Sequence, residues 1–394
     1  MAHVHGLRCR ECGREYEVAP IFTCEWCFGP LEVAYDYDAI AAATSRERIA
    51  AGPRSVWRYA DLLPCERNPA VDLGAGFTPL VRADRLAAEL GLGEVWVKDD
   101  TRNPTNSFKD RVVAVALAQA IEFGLKTVAG ASTGNLANAV AAAAARAGLP
   151  SYVFIPADLE PAKIATTAVY GANVVAVDGT YDDVNRLCAE LAAEQPWAFV
   201  NINVRPFYAE GSRTLAFETA EQLGWQAPDH VVVPVASGSL LTKIHKGFGD
   251  LVAAGCSPVA TAFAESSDTI RPQRPDTIAK SLAIGDPADG YYALDVVRTT
   301  GGAVAGVTDD EIRAGIRLLA RTEGIFGETA AGVTVATLRR LADEGVVRPD
   351  ERVVVYVTGH GLKTLDAVGP ATPTATIEAT VDAFRAAFPD AAEA

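Results

Sequence analysis

Apolar positions along this chain recur in two alternating rhythms. Short runs rich in Val, Ile and aromatic residues stand at 94–98, 126–131, 151–155, 173–177, 198–202, 230–235, 259–264 and 352–357, each about the length of a strand. Between them lie stretches with apolar residues three and four apart, predicting helices over 84–90, 112–120, 136–147, 161–170, 182–193, 211–223, 309–321 and 330–343. Strand and helix alternate, the pattern of a doubly wound parallel sheet, so the fold class is α/β. The run 230–235 is almost wholly apolar and β-branched, as a strand buried on both faces should be. A helical connector rich in Ala and Arg fills 38–51, and a short amphipathic helix is expected near 381–388.

Breakers interrupt this rhythm most sharply at Asn103-Pro104-Thr105-Asn106-Ser107-Phe108-Lys109-Asp110-Arg111. Pro104 and Asn106 end what precedes them, and Ser107 with Asp110 has the spacing of a capping box. Lys109 is thereby delivered onto the first turn of a helix, where the positive end of the macrodipole should lower its pKa. A partly neutral lysine attacks carbonyls and forms Schiff bases, the usual anchor of pyridoxal phosphate. Taken alone, the turn also fits an exposed helix lysine.

Three other junctions carry small polar residues at the C-terminal ends of strands, where open α/β sheets bind ligands. Ala236-Ser237-Gly238-Ser239 offers main-chain N–H groups and a helix start to a phosphate, although a plain strand-to-helix turn has the same look. Ser132-Thr133-Gly134-Asn135 has hydroxyls and an amide suited to a carboxylate or a ring oxygen. Thr358-Gly359-His360-Gly361 follows the last buried strand, with Thr358 either in the crevice or capping a helix.

At 394 residues the chain exceeds one ordinary core, and 49% hydrophobic with 22% charged residues suits a globular enzyme. Its net charge of −15 argues against nucleic acid or an anionic membrane as partner. No basic-then-apolar leader and no long apolar run is seen, so a soluble, cytoplasmic protein is expected.

Four of the seven cysteines, Cys9, Cys12, Cys24 and Cys27, form two C-x-x-C pairs at the start, each followed closely by glycine. Two such knuckles close a tetrahedral four-thiolate site, which suits zinc best and would stabilise a module too short for its own core. Redox-active cysteines are the alternative, but a thioredoxin-like pair occurs once and beside a βαβ unit. With no open position the metal's role is structural. His3 and His5 read as a disordered leader, with a swapped metal ligand as the other reading.

The segments N-P-T-N-S-F-K-D-R, S-T-G-N, the small-residue loop, E-G-S-R-T-L-A-F-E (Glu210 to Glu218) and T-G-H-G-L-K (Thr358 to Lys363) together resemble the threonine synthases. These are fold-type II pyridoxal-phosphate enzymes of the tryptophan synthase β class, and the cysteine-rich front resembles the zinc-ribbon-like extension of some members. The resemblance covers residues 70 to 366. It implies two doubly wound αβα domains plus the module: residues 1–37 for the module, 38–123 with 216–394 for the large cofactor-binding domain, and 124–215 for a small domain that closes over substrate. It further implies a homodimer and a small amino-acid substrate, O-phospho-L-homoserine, converted with water to L-threonine and phosphate. Lys109 would carry the cofactor and move protons, Asn135 bond the 3′-oxygen, Ala236, Ser237, Gly238, Ser239 and Leu240 wrap the 5′-phosphate, and Thr358 bond the ring nitrogen. Ser132 and Thr133 would take the α-carboxylate.

The chain departs from the family pattern in two places. The phosphate loop lacks the usual repeated glycine and asparagine, and Tyr208 stands where an arginine normally receives the substrate's phosphate. Arg205 and Lys243 are the candidates to substitute for that arginine, and a surface ion pair is the other reading of Arg205. Cysteate synthase acting on O-phosphoserine, a serine/threonine dehydratase, and a silent binding protein using the zinc module as adaptor are the alternatives.

Overall fold

The computed structural model describes residues 3–132, 134–253, 276–284, 287–369 and 372–389. The strand expected at 259–264 lies outside them, as does Thr133. Three sheets organise the rest. The first is antiparallel, in the order β2 (Glu15–Tyr16), β1 (Val4–Cys9), β3 (Leu31–Tyr35). The second runs β10 (His230–Val232), β11 (Arg352–Val357), β5 (Glu94–Asp99), β4 (Leu80–Arg82), parallel except for the antiparallel β4. The third is wholly parallel: β8 (Asn173–Val177), β7 (Ser151–Pro156), β6 (Val128–Ala131), β9 (Ala198–Phe199).

Strand β11 shows why the second sheet is sandwiched between helices. Its alternate residues Val353, Val355 and Val357 pack into one core with Val95 and Val97. Val354 and Tyr356 face the opposite core with Leu215 and Ile244. Both faces are apolar because both are covered. Strand β10 is shorter than expected and only partly buried, and among the described residues it pairs with β11 alone. The connector is two short helices, Tyr37–Ala43 and Arg46–Ala50, because Ser45 accepts from the Arg48 N–H and starts the second.

Small residues set the spacing around the third sheet. The Asn135–Ala147 helix is buried over ten of its residues because its alanines admit neighbours closely on every side. Gly148, in the left-handed region, ends it. Gly211 lies against the Lys109–Glu122 helix so tightly that a Cβ would sit 2.6 Å from both the Arg111 carbonyl oxygen and Val112 Cα.

Charges are buried in two compact clusters that join these layers. Arg111 binds Asp100 and Glu218, and Lys98 reaches Glu218 at 2.7 Å, all four with side chains at most 1% exposed. Arg213 binds Glu210 and Asp250, while Lys243 meets Glu210 at 2.6 Å. The segment from Glu210 to Glu218 thus welds helices together. Tyr35 of β3 donates to Glu210 at 3.0 Å, tying the antiparallel module into the second cluster. No helix among the described residues is long and apolar enough to cross a membrane.

Candidate active site

The lysine turn is built differently from the capping box its sequence suggests. Asp110 accepts from the Thr105 N–H and hydroxyl, both at 2.8 Å, so it is pulled away from Ser107. The helix starts at Lys109 after Phe108 with no side-chain cap, and the buried Ser107 Oγ finds no hydrogen-bond partner among the described residues. Asn106 takes the left-handed conformation, φ +61°, that turns the chain into the helix.

Main-chain bonds clasp this turn to the end of β11. The Phe108 N–H donates to the Thr358 carbonyl at 2.9 Å, and the His360 N–H to the Asn106 carbonyl at 3.0 Å. Ser107 and Gly359 form an antiparallel bridge. Lys109 and the buried Thr358 are therefore brought together by backbone.

Lys109 Nζ donates to the Tyr208 hydroxyl at 2.8 Å and stands 4.6 Å from the centre of the Phe108 ring. Burial lowers its pKa to about 8, against the pull of the Glu328 carboxylate, which favours the ammonium. The depression was expected from the helix dipole; desolvation is its main cause here. Burial also raises the Tyr208 phenol well above its ordinary value, so it keeps its proton.

Asn135 begins its helix and donates through Nδ2 to both Glu328 oxygens, at 2.9 and 3.0 Å. Its Oδ1 is buried without a hydrogen-bond partner among the described residues. Glu328 is held in turn by its N–H to the Gly359 carbonyl, 2.9 Å, and a Cβ on Gly359 would lie 2.3 Å from Glu328 Oε1. Lys363 is 7% exposed, its Nζ finds no hydrogen-bond partner among the described residues, and burial pushes its pKa down to about 8 against the charges of Glu328 and Asp110. Sequence reasoning missed both residues. Their only local signals were an acid opening a helix after Gly327 and the lysine of T-G-H-G-L-K.

Ser132 Oγ accepts from the N–H groups of Gly134 and Ala137, at 2.9 and 2.8 Å, and so steadies the loop before Asn135. Gly134, φ +118°, leaves room for Lys163, whose Cδ would lie 2.2 Å from a Cβ there. Residues Ala236 to Leu240 lead into the Ser239–Ala253 helix, with Gly238 buried at φ +94°. Arg205 Nη2 binds Asp289 at 2.6 Å, and its charge is felt by the phenols of Tyr208 and Tyr181. Lys243 pairs with the buried Glu210 at 2.6 Å, whereas Arg205, paired with Asp289, is the cation whose charge is felt at Tyr208.

The four cysteines converge as their spacing implied. Their sulfurs lie within 4.8 Å of one another, Cys9 to Cys27 at 3.4 Å and Cys12 to Cys24 at 3.7 Å. A zinc ion about 2.3 Å from each of four thiolates spaces them by about 3.8 Å, close to what is seen. In the first knuckle Gly13 has positive φ as expected, but in the second Phe28 carries it, one residue before Gly29.

A low-pKa amine, an unsatisfied buried amide oxygen and a glycine turn at a helix start make a donor set that fits pyridoxal phosphate. The family described as pyridoxal-phosphate dependent enzyme matches residues 71–359. The threonine synthase of Methanocaldococcus jannaschii is 40% identical over 91% of this chain and 93% of its own length. That of Methanosarcina acetivorans is 39% identical over 98% and 99%. Among solved structures, an O-ureido-L-serine synthase mutant with O-ureido-L-serine bound has TM-score 0.63 at 23% identity, covering 79% of this chain and 95% of that one. Holo diaminopropionate ammonia lyase from Escherichia coli has TM-score 0.60 at 20% identity, covering 78% and 95%. The last two show the fold. The chain belongs to the pyridoxal-phosphate-dependent enzymes and, within them, to the threonine synthases.

Proposed function

We propose that this chain converts O-phospho-L-homoserine and water to L-threonine and phosphate, with Lys109 as the cofactor-bearing amine and proton carrier. The observation that carries the reading is the half-buried Lys109, with a pKa of about 8, clasped beside Thr358. Pyridoxal phosphate, when bound, supplies an electron sink for carbanions next to the amino group.

The chain's own residues supply the rest. An amine of pKa about 8 both accepts and returns protons near neutral pH, so Lys109 serves as general base and acid at the α, β and γ carbons. Tyr208 keeps that amine aimed and remains a proton donor. Thr358 offers the ring nitrogen a neutral hydroxyl, which tempers the sink and suits elimination and addition at the β and γ carbons. Asn135 offers its amide to the 3′-oxygen, and Ala236, Ser237, Gly238, Ser239 and Leu240 offer main-chain N–H groups to the 5′-phosphate. Ser132 and Thr133 take the α-carboxylate. Arg205 meets the leaving phosphate, whose charge needs a cation. Residues 124–215 form the smaller domain, closing over substrate against 38–123 and 216–394 and excluding water until the phosphate has left. Cys9, Cys12, Cys24 and Cys27 hold a structural zinc in the 1–37 module. The enzyme works as a cytoplasmic homodimer, which sedimentation tests.

The purified protein should be yellow, bleach with borohydride and release phosphate from O-phospho-L-homoserine with threonine as product. Lys109→Ala should lose colour and turnover together; a variant still coloured and active overturns the assignment. A second reading rests on Tyr208 in place of arginine. Phosphate released from O-phospho-L-serine and not from O-phospho-L-homoserine, with sulfite consumed and cysteate formed, would establish that reading, a cysteate-synthase type of reaction.

A further inference from the structure

The cysteine module reaches the crevice through Arg10, which lies between two candidate metal ligands. Arg10 Nη1 approaches Asp289 Oδ1 at 3.5 Å, and its guanidinium lies 3.4 Å from the centre of the Tyr292 ring. Glu11, beside it, accepts from the Tyr292 hydroxyl. The other Asp289 oxygen, Oδ2, takes Arg205 at 2.6 Å. Asp289 precedes the ten-residue Gly290–Thr299 helix without capping it, so its carboxylate is spent on the two arginines. Its main chain grips the phosphate loop: the Asp289 N–H donates to the Ser237 carbonyl at 2.7 Å, and a Cβ on Gly238 would lie 2.5 Å from the Asp289 carbonyl oxygen.

Arg205 is a long side chain that needs a fixed partner to present its guanidinium in one place. Asp289 is that partner, 5% exposed and therefore strongly attractive to both cations. Its other oxygen faces Arg10, whose backbone is pinned by Cys9 and Cys12 when a metal holds them. We propose that Asp289 is a positioning residue coupling the four-cysteine site to the anion-binding side of the crevice. The inference rests on the reading in which the cysteines hold zinc and Arg205 meets a phosphate.

Coupling of this kind is reciprocal: if metal strengthens anion binding, the anion must strengthen metal binding by the same factor. The zinc affinity of the holoenzyme is therefore measured by equilibrium competition with a chelating dye, with and without inorganic phosphate, at constant ionic strength. Phosphate should tighten zinc binding about fivefold, the low end of known couplings. In Asp289→Asn and in Arg10→Ala the phosphate effect should vanish, while Arg10→Lys should keep part of it. Asp289→Asn should also raise KM for the phosphorylated amino acid about tenfold with kcat within about twofold, since Arg205 binds the substrate whereas Lys109 performs the chemistry. Zinc affinity indifferent to phosphate in the native protein, tightening that survives in Asp289→Asn, or a protein that takes up no zinc overturns the inference. A chain that rejects O-phospho-L-homoserine yet shows the linkage fails only the substrate assignment. One that makes threonine without the linkage fails only this inference.

Discussion

Replacing Glu328 by glutamine should make Lys109 react faster at low pH. Burial depresses the amine to about 8, and the Glu328 carboxylate is the charge that resists the depression. With a pKa of about 8, roughly one amine in five is neutral at a pH of about 7.4, against roughly one in a thousand for an ordinary lysine. Burial thus raises the reactive fraction by about two hundredfold. Removing the carboxylate takes away stabilisation of the ammonium, so the pKa must move further down. The assay is the rate at which apoprotein takes up pyridoxal phosphate covalently, followed by absorbance from pH 6 to 10. In the native protein the rate should climb with pH and level near about 8; in Glu328→Gln it should level at lower pH. Glu328→Asp, which keeps the charge, serves as control for the lost contact to Asn135. A native midpoint near the ordinary lysine value, or an upward shift in Glu328→Gln, would refute the reasoning.

Arg111→Met should leave Asp100 and Glu218 buried with too little positive charge, costing about 3 to 5 kcal/mol, read as a lowered denaturation midpoint in urea. Gly211→Ala forces a Cβ against backbone of the neighbouring helix and should cost about 1 to 3 kcal/mol; an unchanged melting temperature would show that the two helices part freely. Acid should unfold the protein through Glu210 and Glu218. Burial alone would raise both pKa values, but Arg213 and Arg111 more than reverse it and hold them at about 2. Since the unfolded chain binds these protons near pH 4.3, the stabilisation is full above about 4.3 and disappears as pH falls toward about 2. Urea midpoints at pH 7, 4 and 3 test the slope. Cys9→Ser with Cys24→Ser should abolish metal content by emission spectrometry and lower the first unfolding transition, while Lys109 still takes up cofactor.

What the sequence made legible was local. Pro104, Asn106 and the apolar run after Lys109 are enough to place an amine at a helix start, and C-x-x-C spacing is enough to bring four sulfurs together. What it concealed is set by partners far along the chain. Glu328 meets Asn135 across 193 positions, and nothing near either residue announces the other. The N–H and hydroxyl of Thr105 outcompeted the Ser107 N–H for the Asp110 carboxylate, so the capping box never formed. Lys243 looked like a free cation until Glu210 claimed it. The segment from Glu210 to Glu218, which helped mark the family, is structural in its chemistry: its acids neutralise buried arginines and lysines.

The clasp between the lysine turn and the end of β11 has an implication for engineering. Because peptide groups span the gap, the separation of the Lys109 and Thr358 main chains is insensitive to side-chain replacement. Attempts to retarget this enzyme toward bulkier or differently activated amino acids belong at Arg205, while Tyr208 is kept because its hydroxyl holds the reactive nitrogen. Arg205 is a long, movable side chain, and the main-chain clasp beneath the reactive nitrogen can be left untouched.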